Sequence, residues 1–290
     1  MVAMSLLQFA RKMAPAQPGP APLARRAEIE IEVRDVTIAF ERDGGQFVPA
    51  VDRVSFDVRR GEFICLLGPS GCGKSTILNS VAGFEHPFAG EVRVAGRDVT
   101  GPGPDRGVVF QQPCLFPWKS VRANVAHGPR MAGKSRAEAG AIADTLIEMI
   151  GLTRFASALP HTLSGGMQQR VAIARAMANK PNILLMDEPF GALDAQTRSI
   201  MQESLLQLWS QVGATILFVT HDIDEAVLLA DRVLVMSAGP GRIIRDVTVD
   251  LPRPRSLDTT LNARFQELRK ECLDLIRQQS IKAFEGTPHV

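Results

Sequence analysis

A glycine-rich segment directly after a short apolar run constrains the fold of this chain more than any other feature. The run is Phe63 to Leu67, and it leads into Gly-Pro-Ser-Gly-Cys-Gly-Lys-Ser at positions 68–75. The spacing Gly, four residues, Gly-Lys-Ser is typical of a loop whose backbone N–H groups surround phosphates. At average residue usage, a chance match in a chain of 290 residues has odds of roughly 1%. We therefore predict a strand, a phosphate-binding loop and a helix over Ser75 to Ala82.

Strands and helices are predicted to alternate along most of the chain. Period-two apolar patterns and short apolar runs indicate strands, and apolar positions three or four residues apart indicate helices. Such an alternation is typical of an α/β fold with a largely parallel sheet covered on both faces. The predicted strands are Ile29 to Val33, Val51 to Val58, Glu91 to Val94, Arg97 to Val99, Ile183 to Met186, Thr215 to Val219 and Arg232 to Met236, and the helices are Ala137 to Ile150, Met167 to Met177, Gln196 to Val212 and Ile223 to Leu229.

Charge, cysteine usage and hydropathy argue against several classes of protein. The net charge of +2, without a basic stripe interleaved with aromatics, argues against nucleic-acid binding. Cys65, Cys72, Cys114 and Cys272 lack paired or metal-ligand spacing, which favours a reducing compartment. The neighbouring Lys74 would favour an acidic thiol at Cys72, but we interpret this cysteine as a small loop residue. No run approaches the ~18 to 20 apolar residues of a membrane span, so we expect a soluble protein that serves a membrane only by docking onto another chain.

Two acidic residues are expected to lie near the phosphate-binding loop. Asp187 and Glu188 follow the apolar run Ile183 to Met186, which places them at the end of a strand. Parallel strands bring such ends to the same edge of a sheet. We interpret Asp187 as a ligand of Mg²⁺, directly or through water, together with the hydroxyl of Ser75. Lys74 would supply a mobile positive charge to the phosphates.

A third motif lies between the loop and the acidic pair, and it reads Leu163-Ser164-Gly165-Gly166-Met167-Gln168-Gln169-Arg170. Its Ser-Gly-Gly opens a predicted helix and so forms another anion-binding end. With the three motifs in this order, the chain resembles the nucleotide-binding subunit of an ATP-binding cassette (ABC) transporter over roughly residues 29 to 250. The resemblance implies an ATPase of the α/β class, with a P-loop NTPase core around a mostly parallel sheet, an N-terminal antiparallel β part and an inserted α-helical subdomain.

The resemblance also implies catalytic and binding roles. Glu188 resembles the general base that polarises the attacking water, and His221 resembles the switch histidine that contacts the γ-phosphate. Gln111 matches a glutamine near Mg²⁺ and that water. Phe40 matches the aromatic that stacks on adenine, with Phe47 as the alternative. The residues implied to bind ATP, in one copy or the other, are Phe40, Gly68, Pro69, Ser70, Gly71, Cys72, Gly73, Lys74, Ser75, Thr76, Gln111, Leu163, Ser164, Gly165, Gly166, Met167, Gln168 and Asp194, and those implied to bind Mg²⁺ are Ser75, Asp187 and Gln111.

The partners implied by the resemblance are a second copy of the chain and a permease. In the family the Ser-Gly-Gly element binds the γ-phosphate of ATP held by the other copy, which predicts a head-to-tail ATP-sandwich homodimer. Asp194, in Ala192-Leu193-Asp194, resembles the loop by which two copies communicate. Transmembrane permease subunits, and indirectly a solute-binding protein, would place the chain peripherally at the cytoplasmic face of the cell (inner) membrane. We interpret the apolar loop Cys114 to Trp118 as a permease contact, with core packing as the alternative.

Four functional classes compete, and a transport ATPase is favoured. A DNA-repair or translation ABC protein would show a long coiled-coil insertion or two cassettes, and a P-loop kinase or GTPase would lack the Ser-Gly-Gly element. A purely structural binding module would not need Lys74, Glu188 and His221 together. Import is favoured over export because no membrane spans are fused to the cassette. Three segments resemble the ATPases of nitrate, taurine and aliphatic-sulfonate importers, namely 101–111, 187–194 and 237–242. Similar ATPases serve vitamin-precursor pyrimidines, so the cargo stays open.

We predict three regions along the chain. Residues 1–28 form a flexible N-terminal tail, in which apolar residues at helical spacing also allow a short helix that touches a membrane or a partner. Residues 29–250 form the ATPase domain, with the helical subdomain at about 113–166, and residues 251–290 form a C-terminal helical extension. The extension has an apolar stripe that we expect to pack onto the domain's own surface. The stripe consists of Leu261, Phe265, Leu268, Cys272, Leu275 and Ile276.

Overall fold

The computed structural model of the chain describes residues 28–42 and 45–285, so the predictions for the N-terminal tail lie outside the described residues, apart from position 28. The described chain forms two compact units, the first with residues 28–103 and 215–285 and the second with residues 104–214. Among these residues, no helix is both long and apolar enough to cross a membrane. In chain order the elements are β1 (Ile29–Arg42), β2 (Gln46–Arg59), β3 (Phe63–Leu67), α1 (Lys74–Ala82), β4 (Ala89–Val94), β5 (Arg97–Asp98), β6 (Arg106–Val109), α2 (Val121–Val125), α3 (His127–Met131), α4 (Arg136–Met149), α5 (Gly165–Met177), β7 (Ile183–Asp187), α6 (Ala195–Val212), β8 (Thr215–Thr220), α7 (Ile223–Leu229), β9 (Arg232–Met236), β10 (Ile243–Thr248) and α8 (Ala263–Glu285), with 3-10 turns at Thr153–Phe155, Pro160–Thr162 and Leu257–Leu261.

An antiparallel sheet in the order β2-β1-β4-β5 forms the N-terminal part of the first unit. β1 and β2 are each 14 residues long, whereas the apolar alternation predicted only 29–33 and 51–58. The alternation breaks because the register shifts between Val33 and Val36, where Asp35 has a φ of 45°. A β-bulge moves the next apolar side chain along by one position, so Val36 stays buried although strict alternation has ended. The predicted antiparallel part is therefore confirmed, with longer strands.

The strand before the glycine-rich loop lies inside a mostly parallel sheet. Within the first unit the strand order is β10-β9-β3-β8, with β3 parallel to both neighbours and β10 antiparallel to β9. All residues of β3 and β8 are buried, as expected for strands covered on both faces. The register places Leu67, at the end of β3, opposite Thr220 and Val235. The segments that follow β3, β8 and β9 therefore leave the sheet at the same edge.

The C-terminal helix α8 packs on its own unit, as predicted. It contacts α7 and β9, and Phe265, Leu268 and Cys272 are buried. Leu261 was expected in the same apolar stripe, but it is 82% exposed. The stripe assumed one continuous helix, whereas the chain forms a 3-10 turn that ends at Leu261 and α8 begins only at Ala263.

The second unit contains a parallel strand pair and most of the helices. β6 and β7 run parallel with Val109 opposite Met186, and every residue of β7 is buried. Helices α2, α3 and α4 lie within the stretch predicted as a helical insert. α4 begins at a capping box formed by Ser135 and Glu138, which satisfies N–H groups at the helix start. The α/β fold with a helical insert is therefore confirmed, and the numbered domain limits stay predictions.

Candidate functional site

The glycine-rich loop leaves β3 and opens α1 in the first unit, as predicted. Gly71 and Gly73 have φ angles of 76° and 91°, in the region that favours glycine. A Cβ on Gly73 would lie 2.6 Å from Cγ2 of Val51, and a Cβ on Gly68 would lie 2.8 Å from Sγ of Cys72. The loop thus needs glycine both for its turn and for its close packing. Its backbone ends at a helix N-terminus, where N–H groups attract anions.

Lys74 bends back over the loop that precedes it. Its Nζ donates hydrogen bonds to the carbonyl oxygens of Gly68 and Pro69, each at 2.9 Å, and the residue is only 5% exposed. Ser75 and Thr76 follow in the first turn of α1 and are half-buried. A compact ammonium group on a flexible stem can exchange carbonyl oxygens for phosphate oxygens. This geometry fits the role predicted for Lys74.

Cys72 does not provide an acidic thiol. The residue is buried, and burial raises the pKa of its thiol although Nζ of Lys74 lies 3.9 Å from Sγ. Desolvation disfavours the thiolate more strongly than the neighbouring cation favours it. Cys72 is therefore a packing residue of the loop, and its backbone N–H donates to the carbonyl oxygen of Pro69 at 3.4 Å.

His221 lies at the same sheet edge as the loop. It is exposed and follows Thr220, which is paired with Leu67 just before the loop. Oγ1 of Thr220 donates to Oε2 of Glu225 at 2.7 Å and accepts from the N–H of Asp222 at 3.0 Å. These hydrogen bonds fix the turn between β8 and α7 that carries His221. The first unit thus brings two of the predicted phosphate-binding groups to one edge.

In the second unit the structure brings Gln111 and Glu188 into contact. Nε2 of Gln111 donates to Oε2 of Glu188 at 3.3 Å, just beyond the parallel ends of β6 and β7. Asp187 is the last residue of β7 and is buried, whereas Glu188 is half-buried. Glu188 has a φ of 43°, a conformation that costs a non-glycine residue about 1–3 kcal/mol and is concentrated at functional sites. An amide beside a carboxylate is suited to orienting a water molecule.

The Ser-Gly-Gly element opens α5, with its serine as the N-cap. Oγ of Ser164 accepts a hydrogen bond from the N–H of Met167 at 3.3 Å, and Ser164 and Gly165 are exposed. Gln168 instead donates from Nε2 to the carbonyl oxygen of Leu163 at 3.2 Å. Leu163 is buried. The exposed helix end is therefore available to an anion, while Gln168 fixes the turn before it.

Asp194 begins α6 as its N-cap. Its carboxylate accepts a hydrogen bond from the N–H of Thr197 at 2.9 Å, and this bond lowers the pKa of Asp194. The preceding Leu193 packs against the Ser-Gly-Gly element, because a Cβ on Gly166 would lie 3.1 Å from Cδ2 of Leu193. The two segments that the resemblance assigns to contacts with a second copy are thus adjacent in this unit.

Sequence reasoning missed the roles of Gln169 and Arg175, both on α5. Gln169 is fully buried, and its Nε2 donates to the carbonyl oxygen of Phe110 at 3.0 Å, next to Gln111. Nη1 of Arg175 donates to the carbonyl oxygen of Cys114 at 2.7 Å. Both side chains therefore hold the segment that follows β6. The available signal was that Gln169 shares a helix face with Ala172 and Ile173, three and four positions further along, since buried polar groups need partners.

The loop Cys114 to Trp118 is partly packed against its own unit and partly exposed. The ring of Phe116 lies 4.7 Å from the ring of His127, between centroids, and Nζ of Lys119 lies 4.3 Å from the Phe116 centroid. Trp118 is 73% exposed. Phe116 is thus half-buried among polar and cationic side chains, and Trp118 offers an exposed surface to a partner.

A cavity of about 490 Å³ in the same unit is lined by cations. Among the residues that the structure describes, its lining includes Lys119, Arg122, Arg130 and Arg136 and no acidic residue. Nη2 of Arg122 donates to Oδ2 of Asp144 at 2.8 Å, whereas Arg130 and Arg136 form no ion pair with any residue that the structure describes. The cavity therefore has a positive potential suited to an anionic group.

The structure separates the two candidate adenine-stacking aromatics. Phe40 lies opposite Val48, and Phe47 lies opposite Glu41, in the β1–β2 ladder. Because neighbouring positions of a strand face opposite sides of a sheet, the two rings are on different faces. The ring of Phe47 contacts that of Phe88, with centroids 5.7 Å apart, and both Phe40 and Phe47 are exposed. Phe40 stays the predicted stacking residue, with Phe47 as the alternative.

The fold and these phosphate-binding elements define an ATPase of the nucleotide-binding cassette class. The ABC transporter family model matches residues 51–191. A putative ATP-binding protein of Brucella abortus (strain 2308) is 51% identical over 240 residues, which cover 83% of this chain and 92% of that protein. A taurine import ATP-binding protein of Jannaschia sp. (strain CCS1) is 45% identical over 251 residues, with 85% and 93% covered. A solved dimeric ATP-binding cassette in a post-hydrolysis state, bound to ADP and Pi, has a TM-score of 0.70 and 33% identity, covering 77% of this chain and 100% of that one.

The chain belongs to the family of ABC transporter ATP-binding proteins. It binds ATP and hydrolyses it to ADP and phosphate as the ATPase subunit of a transporter. The predicted family, fold and enzyme class are therefore confirmed.

Proposed function

We propose that this ATPase energises the uptake of a small anionic solute of the nitrate, sulfonate or taurine type. The observation that carries the proposal is 45% identity to a taurine import ATP-binding protein over 85% of the chain. Resemblance of segments 101–111, 187–194 and 237–242 to the ATPases of such importers supports it. The alternative is the same role for another small solute, such as a vitamin-precursor pyrimidine, because the proposed site residues would contact nucleotide and not cargo.

The proposed mechanism assigns one task to each group. The backbone N–H groups of residues 68–75 and the Nζ of Lys74 bind the phosphates. The carboxylate of Glu188 accepts a proton from the attacking water, which the amide of Gln111 orients. His221 contacts the γ-phosphate from the end of β8. The contact of 3.3 Å between Gln111 and Glu188 supports their shared task.

Mg²⁺ fits the residues proposed to hold it. The hydroxyl of Ser75, the carboxylate of Asp187 and the amide oxygen of Gln111 are hard oxygen donors, which Mg²⁺ prefers. Within the described part of the chain, no three His, Cys, Asp or Glu side chains cluster as a metal site. Mg²⁺ is usually bound through one or two carboxylates together with substrate phosphates, so the single carboxylate of Asp187 suffices. When bound, Mg²⁺ would neutralise charge that develops on the phosphates.

The proposed hydrolysing species is a head-to-tail dimer. The exposed helix end at Ser164 and Gly165 binds the γ-phosphate of ATP that is held by the phosphate-binding loop of the other copy. Asp194, adjacent to this element, contacts the other copy as well. The dimeric state of a solved cassette with 33% identity supports this arrangement.

The proposed permease contact combines the exposed part of loop 114–118 with the cationic cavity. Trp118 offers apolar surface, and Arg130 and Arg136 offer positive charge without an acidic partner among the described residues. This combination fits a cytoplasmic permease segment that carries carboxylates beside apolar side chains. A chain bound in this way lies peripherally at the cytoplasmic face of the membrane, and it meets the solute-binding protein only through the permease.

The test of the cargo uses the solute-binding protein encoded beside this chain. We expect it to bind nitrate, taurine or an aliphatic sulfonate with a Kd of about 1 μM or below in calorimetric titrations. A pyrimidine vitamin precursor serves as the competing ligand. Tight binding of the pyrimidine and none of the other solutes would overturn the anionic cargo and leave the ATPase assignment intact.

A further inference from the structure

The segment Ser237-Ala238-Gly239-Pro240-Gly241-Arg242 follows β9 and has no task in the proposed mechanism. β9 is parallel to β3, and Val235 lies opposite Leu67, so this segment leaves the sheet beside the phosphate-binding loop. Both belong to the first unit. Their contacts decide whether the segment 237–242 is a passive turn or a support for the loop.

Gly241 contacts the loop and leaves no room for a side chain. A Cβ on Gly241 would lie 2.0 Å from the carbonyl oxygen of Cys72 and 2.8 Å from Cε of Met236. The end of the Met236 side chain can move aside, whereas the Cys72 carbonyl is part of the loop backbone. The φ of Gly241 lies outside the left-handed region, so the close contact, and not the backbone conformation, requires glycine here.

The segment is itself fixed to β2 by hydrogen bonds of Gly241 and Arg242. The N–H of Gly241 donates to the carbonyl oxygen of Ala50 at 2.8 Å, and the carbonyl oxygen of Gly241 accepts from the N–H of Asp52 at 3.0 Å. Nε of Arg242 donates to Oδ2 of Asp52 at 3.0 Å. Gly241 therefore cannot move away from the loop without breaking these contacts.

The same part of β2 contacts the next residue of the loop. A Cβ on Gly73 would lie 2.6 Å from Cγ2 of Val51 and 3.0 Å from the carbonyl oxygen of Ala50. The Ala50 carbonyl thus meets both Gly241 and Gly73. The loop backbone at Cys72 and Gly73 is consequently in contact with β2 and with Gly241.

We propose that Gly241 is a positioning residue for phosphate binding. It holds the backbone at Cys72 and Gly73 in the shape that lets the loop N–H groups converge on a β-phosphate, which preorganises the site. The inference rests on the proposed assignment of residues 68–75 to the nucleotide phosphates. It adds a second segment, distant in sequence, on which the conformation of the phosphate-binding loop depends.

The test compares Gly241→Ala with Gly239→Ala in the purified full chain. A Cβ on Gly239 would lie 3.9 Å from the carbonyl oxygen of Gly71, an ordinary contact, so this variant is the matched control.

Calorimetry measures the Kd for ADP and for AMP, which lacks the β-phosphate. We expect Gly241→Ala to weaken ADP binding about tenfold, as expected for losing one hydrogen bond to a charged group. AMP binding should change by less than about twofold, and Gly239→Ala should leave both unchanged. A merely structural role would lower the melting temperature and leave the ADP-to-AMP ratio unchanged.

Two further variants keep the inference testable if Gly241→Ala does not fold. Arg242→Ala removes the bond to Asp52 without adding a methyl group, and it should weaken ADP binding relative to AMP to a smaller extent. Lys74→Ala tests the loop itself. If Lys74→Ala shifts the ADP-to-AMP ratio and neither Gly241→Ala nor Arg242→Ala does, the positioning role is wrong and the loop assignment stands. If Lys74→Ala leaves the ratio unchanged, both are wrong.

Discussion

At the scale of single residues, backbone carbonyl groups hold several cations of this chain. Lys74 donates to carbonyls of its own loop, Arg175 donates to that of Cys114, and Arg255 donates to several carbonyls near the C-terminal end of α7. Carbonyl dipoles replace part of the water that a buried cation loses. For Lys74 these oxygens are exchangeable for phosphate oxygens, whereas for the two arginines they are part of the framework.

Glu188 is the residue whose chemistry decides hydrolysis in the proposed mechanism. Glu188→Gln keeps the shape of the side chain and removes the carboxylate that accepts the proton. We expect kcat to fall by about 10²–10⁴, while the Kd for ATP changes by less than a few-fold. Phosphate release measures the first quantity and calorimetry the second. The same exchange at the exposed Glu148 on α4 should leave both unchanged, and undiminished turnover of Glu188→Gln would contradict the assigned base.

At the scale of elements, a distant arginine fixes the end of a helix. Nη1 of Arg255 donates to the carbonyl oxygens of Leu228 at 3.2 Å and Ala230 at 2.6 Å, at the end of α7. Its Nη2 donates to those of Val249 at 3.2 Å and Leu251 at 3.1 Å. The side chain is 1% exposed, and burial lowers the pKa of the guanidinium to about 10. It therefore remains charged at neutral pH and joins α7 to the segment after β10.

Arg255→Ala should lower the free energy of unfolding by about 2–4 kcal/mol, because it leaves the carbonyl groups at the end of α7 and after β10 without their donor. Urea denaturation measures the change. Arg264→Ala is the control, since Arg264 lies in the same C-terminal region and forms an exposed ion pair with Asp250 at 2.8 Å. Exposed ion pairs contribute little to stability. A loss of stability in Arg264→Ala as large as that in Arg255→Ala would contradict the role of Arg255 in fixing the end of α7.

The elements predicted from sequence are those whose cause is local. The strand, loop and helix over residues 63–82 are encoded by an apolar run, glycines with special φ angles and a Lys-Ser pair. β10 escaped prediction because only Val247 of its six residues is buried, and the length of β1 was hidden by the bulge at Asp35. Gln169 and Arg255 were missed because their partners lie up to 59 and 28 residues away along the chain. Such contacts exist only once the fold has formed.

In the candidate site, too, local sequence patterns were predictable and contacts between distant residues were not. Phosphate chemistry requires particular residue types at close spacing, so the loop, the acidic pair and the Ser-Gly-Gly element were predictable. The contact between Gln111 and Glu188 joins residues 77 positions apart, and only the family resemblance suggested that they act together. The support of the loop by Gly241 has no local pattern at all, because it depends on β9 lying beside β3.

At the scale of the whole molecule, the chain should bind its permease through the cationic cavity. Arg130→Glu combined with Arg136→Glu reverses the charge of that surface, so we expect loss of permease retention when the neighbouring permease is captured on an affinity resin. Arg97→Glu combined with Arg154→Glu makes the same change in net charge at exposed positions outside the cavity lining. The ATPase activity of the isolated chain reports correct folding of both variants. Equal retention of the two double variants would contradict the docking surface.

The central claim is that each hydrolysing ATP site is built from two copies of the chain. Lys74→Ala disables the phosphate-binding loop, Ser164→Arg blocks the anion-binding end of α5, and each variant alone should be inactive. A mixed dimer contains one site in which the loop and the helix end are both intact. Mixing the two variants should therefore restore ATP hydrolysis, to about a quarter of the wild-type rate if pairing is random. Activity that never exceeds the sum of the two separate variants, at any mixing ratio, would contradict the claim.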